Sequence, residues 1–202
     1  MPNSLKATLR GSVAATLAGL TALAAPTATA EGIPSYNLYG LPGLIDMPTA
    51  RVAPDATLST TIGGGGTQGR GTLSFQITPR LSGSFRYSRI SDFSAAGSVD
   101  GVFYDRSFDL RYQLLDEGDL LPGVVVGLQD FIGTGLYGGE YLVATKEIIP
   151  GLDVTGGVGW GRLGSRNPFA ETGNRPEELL GEGGLPTYDR WFRGDVAGFA
   201  GM

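Results

Sequence analysis

The sequence contains no cysteine and no histidine. Their absence rules out a disulfide, a Cys/His zinc site and any Cys–His or Ser–His catalytic pair. No metal or cofactor site is legible in what remains. Lysine is nearly missing too, with only Lys6 and Lys146. Acidic residues outnumber basic ones by 20 to 15, for a net charge of −5. That balance argues against a nucleic-acid partner. A long hydrophobic run is also lacking. The best candidate, residues 13–25, is thirteen residues long, short of the roughly 20 that a spanning helix needs. A membrane location for this chain would therefore have to rest on strands.

What is present begins with an export signal. Lys6 and Arg10 precede the apolar run 13–25, and Ala28-Thr29-Ala30 follows as a small-x-small cleavage site. This order predicts a secretory signal peptide over residues 1–30, with Glu31 as the new N-terminus; a buried N-terminal helix is the competing reading. Residues 31–54 carry Pro34, Pro42, Pro48 and Pro54, which break regular elements. They read as an irregular periplasmic lead-in.

From residue 55 to 202 the chain alternates apolar and polar side chains in segments of about ten residues. Strands are expected over residues 56–62, 72–78, 81–90, 107–114, 124–128, 140–149 and 152–162, with an eighth starting near Trp191. In residues 72–78, Leu73, Phe75 and Ile77 oppose Ser74, Gln76 and Thr78. In residues 107–114, Phe108, Leu110, Tyr112 and Leu114 oppose Asp109, Arg111 and Gln113. The connectors read alternately long (63–71, 91–103, 133–139, 163–190) and short (Pro79-Arg80, 115–121, Pro150-Gly151). Together these patterns predict an all-β fold, an antiparallel up-and-down transmembrane β-barrel. Short turns would face the periplasm and long loops the exterior. A soluble β-sandwich also alternates. Its solvent face, however, would carry more Lys and Glu than the small polar residues found here. Tyr87, Tyr104, Tyr112, Tyr141 and Trp160 fall near strand ends, where an aromatic girdle would sit.

Few residues suggest chemistry. Gly133–Gly138 matches G-x-G-x-x-G, and Asp153 follows about twenty residues on, as in a dinucleotide fingerprint. No amphipathic helix follows, so the motif reads as a glycine-rich hairpin loop. Asp116, Glu117, Asp119, Glu177 and Glu178 read as solvated loop charge, and no catalytic residue is assigned. Gln76, Arg86, Asp109 and Arg111 lie on the polar faces of neighbouring strands. They are the candidate lumen-facing residues. They would either set a field for a polar or anionic passenger or form a charge ladder that lets the interior satisfy itself.

Residues 36–62 (YNLYGLPGLIDMPTARVAPDATLSTTI), 105–115, 122–132, 138–146 and 157–164 together resemble the YjbH family of exopolysaccharide-associated outer-membrane proteins. The run Gly-Leu-Ile-Asp-Met-Pro-Thr-Ala at 43–50 is the most specific part. The resemblance implies an outer-membrane barrel tied to production or export of extracellular polysaccharide, acting as conduit or scaffold rather than as an enzyme. Its expected partners are outer-membrane lipid, polysaccharide and other secretion components. The family offers no catalytic residues to carry over. The chain departs from it in two ways: it has no cysteine to lipidate, whereas family members are often lipoproteins, and it is much shorter. It reads as a barrel segment incomplete at its C-terminus, after about seven to eight strands. A generic small porin or adhesin-like barrel, and a soluble exported carbohydrate-binding sandwich, are the alternatives.

Overall fold

The computed structural model describes residues 32–94, 98–176 and 184–202. The expected signal peptide and the Glu177-Glu178 pair lie outside the described residues. In the lead-in, β1 (Gly43–Leu44) and β2 (Met47–Pro48) pair as a small hairpin. The main sheet opens with β3 (Leu58–Gly65), β4 (Gln68–Gln76), β5 (Leu81–Ser91) and β6 (Val102–Leu115). It continues with β7 (Gly123–Gly133), β8 (Gly139–Ile149) and β9 (Leu152–Gly159). A 3-10 turn at Gly161–Leu163 leads to β10 (Ala170–Thr172), β11 (Leu185–Pro186) and β12 (Gly194–Gly201).

From β3 to β9 each strand pairs with the next, and β12 then pairs with β9. β10 lies on β12, and β11 pairs with the end of β7. All the pairings are antiparallel. The fold is therefore all-β and antiparallel, as expected. The sheet is open: among the described residues β3 pairs only with β4, and no ladder joins it to β12.

The sheet is inverted relative to a soluble protein. On β4, Leu73 and Phe75 are 48% and 42% exposed, while Ser74 and Gln76 are 8% and 2% exposed. On β6, Phe108, Tyr112 and Leu114 are exposed, while Asp105, Ser107, Asp109 and Arg111 are buried. The outward face carries apolar and aromatic pairs, with Phe85 and Phe108 at 5.1 Å and Tyr87 and Tyr104 stacked at 5.8 Å. Most strands keep their period-2 alternation, so their side chains sort to two faces; β7 departs from it near Asp130. Water-facing sheets place the polar set outside; here it lies inside.

The inner face is covered by the lead-in. Ala50 N–H donates to Thr145 Oγ1 at 2.7 Å, and Thr72 Oγ1 donates to the Tyr39 carbonyl at 3.0 Å. Two small apolar clusters form beneath it. Tyr39 packs with Ile90, Phe103 and Tyr137; Ala50 packs with Val125, Tyr141 and Val143.

Three sequence expectations change. Residues 63–71 are not a long loop. Gly63, Gly64 and Gly65 pair with Arg70, Gly69 and Gln68, leaving only Gly66 and Thr67 as the turn. A glycine run reads as a loop signal, but these glycines allow close approach. A Cβ on Gly64 would sit 2.4 Å from the Gln68 carbonyl. The first connector is thus among the shortest, and connector length does not alternate strictly along the sheet. Tyr141 is not at a girdle: it is fully buried on the inner face. The last strand starts at Gly194, and Trp191 lies in the turn before it.

Tyr141 shares the inward parity of Val143 and Thr145, and its cross-strand partner Gly127 leaves room for its ring. Its ring lies where a side chain would be, with Cζ 2.2 Å from an ideal Gly127 Cβ. Aromatic cover of a strand glycine replaces the contacts that the glycine lacks. Gly127→Ala forces that ring aside and should destabilise the protein by about 1–3 kcal/mol, read as a lower urea midpoint. Gly65→Ala, whose Cβ meets nothing within 4 Å, should leave the midpoint nearly unchanged.

Candidate functional site

The polar inner face is built by register. Ser84 on β5 stands opposite Asp109 on β6, Arg86 opposite Ser107, and Ser88 opposite Asp105. This puts Arg86 one step along the face from Asp109. Arg86 donates from Nη1 to Asp109 Oδ2 at 2.9 Å and from Nη2 to Oδ1 at 3.2 Å. Both side chains have no solvent exposure. Ser84 Oγ donates to the same carboxylate at 2.8 Å, and the Asp130 N–H donates to it at 2.7 Å. A buried ion pair survives only if its remaining valences are met, and here four donors converge on Asp109.

The four residues singled out from sequence all lie on this buried face, but they do different things. Arg86 and Asp109 pair. Arg111 reaches the lead-in, donating from Nη2 to the Thr49 carbonyl at 2.5 Å and the Arg51 carbonyl at 3.2 Å. Gln76 turns to its own hairpin and donates to the Thr78 carbonyl at 2.7 Å.

Other members of the face are not apparent from sequence. Asp105 shares its parity with Asp109 and Arg111 and accepts from Thr134 Oγ1 at 2.6 Å; that parity is a usable signal. Asp130 has the wrong parity. A left-handed backbone at φ 53° and a register shift between β6 and β7 turn it inward, as bulges do. It then accepts the Tyr137 N–H at 3.1 Å. This closes the Gly133–Gly138 segment as a hairpin loop followed by β8, not by a helix. Tyr39 enters from the lead-in and lies against three guanidinium groups: Arg162 at 4.0 Å, Arg70 at 4.6 Å and Arg86 at 5.3 Å. Nothing in the local sequence marks Tyr39 or Arg162 as belonging here.

At one end of this face Arg51 anchors the lead-in. It donates from Nε to Asp153 Oδ2 at 2.6 Å and pairs with Glu117. Lys146 Nζ and the Glu147 N–H each donate to Glu117 Oε1 at 2.9 Å. Glu117 is therefore not simple loop charge, unlike its exposed neighbour Asp116, which pairs with Arg80. At the other end of the lead-in, Arg162 donates to Asp46 Oδ1 at 2.9 Å and to Gln129 Oε1 at 3.0 Å.

Among the described residues no group of three His, Cys, Asp or Glu is placed to hold a metal ion. The arrangement is a row of hydrogen-bond donors and fixed charges along one sheet face, covered by an irregular, hairpin-bearing segment of the same chain. The family model described as "Exopolysaccharide biosynthesis protein YbjH" matches residues 35–202, which includes both the lead-in and the sheet. The chain belongs to the YjbH family. It is also similar to "Uncharacterized lipoprotein YjbH" of Escherichia coli (strain K12), 37% identical over 145 residues. That alignment covers 68% of this chain but only 21% of the relative, so the chain spans about a fifth of that protein's length. No solved structure matches. The family assignment therefore covers the site as one unit: strands and covering segment are matched together.

Two outcomes follow. Asp109→Asn leaves Arg86 charged and uncompensated, and should cost about 3–5 kcal/mol in urea unfolding followed by Trp fluorescence. Adding Arg86→Met to it should recover part of that loss. The second concerns Glu117. Burial raises its pKa, but the Lys146, Glu147 and Arg51 hydrogen bonds outweigh burial, and the net shift is downward from 4.5. A carboxyl depressed on folding stabilises above its unfolded value and loses that contribution as pH falls through the folded one. Wild type should therefore exceed Glu117→Gln in stability at neutral pH. The gap should close as the pH drops below 4.5.

Proposed function

We propose that this chain forms part of an outer-membrane β-barrel in an exopolysaccharide system, with the apolar face in lipid and the polar face lining the interior. It acts as a conduit or scaffold that contacts glycan, and it performs no catalysis. The observation that carries this reading is the inverted burial, with an apolar outer face and a fully buried ion pair inside. Apolar surface is driven out of water, so a continuous outward belt needs a covering, and lipid supplies one without pairing the strands differently. A barrel also pairs every backbone edge, so in this reading closure engages the free edge of β3 and the part of β12 that β10 leaves uncovered. Family membership supports the polysaccharide link. The relative's designation as a lipoprotein supports an envelope location.

The reading is tested at the outer face. Leu73→Arg on the surface of a soluble sandwich should shift stability by less than about 0.5 kcal/mol. On a lipid-facing strand it should cost about 2–4 kcal/mol near the bilayer midplane. The protein should also fractionate with outer membranes and migrate faster unheated than boiled on detergent gels. Deleting its gene should lower extracellular polysaccharide. Recovery in the soluble periplasmic fraction would sink the proposal.

A further inference from the structure

The lead-in is held on the polar face chiefly through its main-chain oxygens. Thr72 Oγ1 donates to the Tyr39 carbonyl at 3.0 Å, and Ser74 Oγ donates to the Gly40 carbonyl. Arg162 Nη2 donates to the Asp46 carbonyl at 3.2 Å. Arg111 Nη2 reaches the Thr49 and Arg51 carbonyls at 2.5 and 3.2 Å. One side-chain anion joins them, the Asp46 carboxylate on Arg162 Nη1 at 2.9 Å. The lead-in is folded, with a turn over residues 37–41 and the β1–β2 hairpin, and the sheet presents its donors to the carbonyls and the one carboxylate that this segment turns toward it. Most of those contacts ask nothing of the segment's side chains.

The charges on this face give the line a sign. Arg86 is neutralised by Asp109. Among the described residues Arg111 forms no ion pair, and the ion-pair partner of Arg162 is Asp46, which belongs to the lead-in. With the lead-in withdrawn, Arg111 and Arg162 are left without a carboxylate. Of the carboxylates on the same face, Asp109 is held by Arg86, whereas Asp105 and Asp130 accept from the neutral Thr134 hydroxyl and Tyr137 N–H. The anchors of the lead-in are also partly open to water: Arg51 is 32% exposed and Asp46 64%. Ion pairs in that setting hold weakly.

We infer that the face under residues 36–51 is a track for an acidic glycan strand, that the lead-in occupies it by presenting the same acceptors and one carboxylate, and that such a strand displaces it. A uronate-bearing polysaccharide supplies ring and hydroxyl oxygens for Thr72, Ser74 and Arg111, and a carboxylate for Arg162. This assignment rests on the conduit reading and adds to it the class of passenger and a built-in competitor.

The chain has no cysteine, so Thr49→Cys places one thiol in it, at a position 4% exposed under the lead-in's contact with Arg111. The chain carrying this change is purified in detergent, and its rate of reaction with a water-soluble maleimide is measured. Oligogalacturonate should raise the rate by about tenfold, the response to a tenfold shift toward the displaced state. Dextran oligomers of matched length should not. Adding Arg111→Gln should blunt the response to oligogalacturonate, while Asp46→Asn with Arg51→Gln should speed labelling with no glycan present. A rate unmoved by oligogalacturonate, in protein that still migrates as a heat-modifiable barrel, overturns the track and leaves the barrel reading intact. An equal rise with dextran overturns the acidic assignment. Loss of heat-modifiable migration in the unsubstituted chain overturns the barrel reading, and the track with it.

Discussion

Arg86 and Asp109 meet without solvent exposure on a sheet whose opposite face is apolar, and the surrounding structure is arranged to bring donors to the Asp109 carboxylate. Each ion loses several kcal/mol of hydration on burial, and their attraction offsets this only with good geometry and further hydrogen bonds. Those bonds come from neighbouring strands. Ser84 supplies one from β5, and the Asp130 N–H supplies one from β7. The second is available only because β7 departs from regular pairing near Asp130. The ion pair, the bulge and the inward turn of Asp130 are therefore one constraint. Relaxing the bulge would return Asp130 to the outer face and take a donor from Asp109.

An inverted sheet cannot be closed by packing another apolar layer on its polar side. The covering must bring acceptors to a donor-rich face while adding few donors of its own. Residues 36–54 have that chemistry. Pro42, Pro48 and Pro54 carry no N–H, so each removes a group that would otherwise need an acceptor beneath the segment. Carbonyls of Tyr39, Gly40, Asp46, Thr49 and Arg51 then take up hydroxyl and guanidinium donors from the sheet. This demand for acceptors accounts for the irregularity of the lead-in. A proline-broken, turned segment leaves carbonyls facing the sheet that a helix would spend on itself.

The sequence displays the two faces of most strands because parity is fixed by the backbone. Arg86, Asp109 and Arg111 fall on one side of neighbouring strands by that rule alone, and Asp105 joins them by the same rule. What parity cannot show is which of these side chains meet. Gln76 has the right face and yet turns to the Thr78 carbonyl. Nor does parity survive a bulge, which is why Asp130 is not legible. Glycine misleads in two directions. Gly63, Gly64 and Gly65 read as a loop but continue a ladder. Gly127 reads as a gap in its strand, yet the ring of Tyr141, inward by parity, covers it. The lead-in is legible only as irregular. Its contacts join residues 36–54 to strands far along the chain, and no local pattern encodes such pairings.

The inner face divides along the sheet, and the division sets how the lead-in lies. β4, β5 and β6 contribute hydroxyls, guanidinium groups and carboxylates, whereas β7 and β8 set the apolar patch of Val125, Tyr141 and Val143 beside the buried Gln129, Asp130, Glu140 and Thr145. On β9 the glycines leave room instead: an ideal Cβ on Gly157 would fall 2.5 Å from Phe199 of β12. Tyr39 settles over the charged half, where guanidinium groups meet its ring. Ala50 and Val52 settle over the apolar half. A segment whose two ends prefer different surroundings has one favourable direction across the sheet. Direction is thus set by the apolar patch of Val125, Tyr141 and Val143, while register is fixed by the carbonyl contacts.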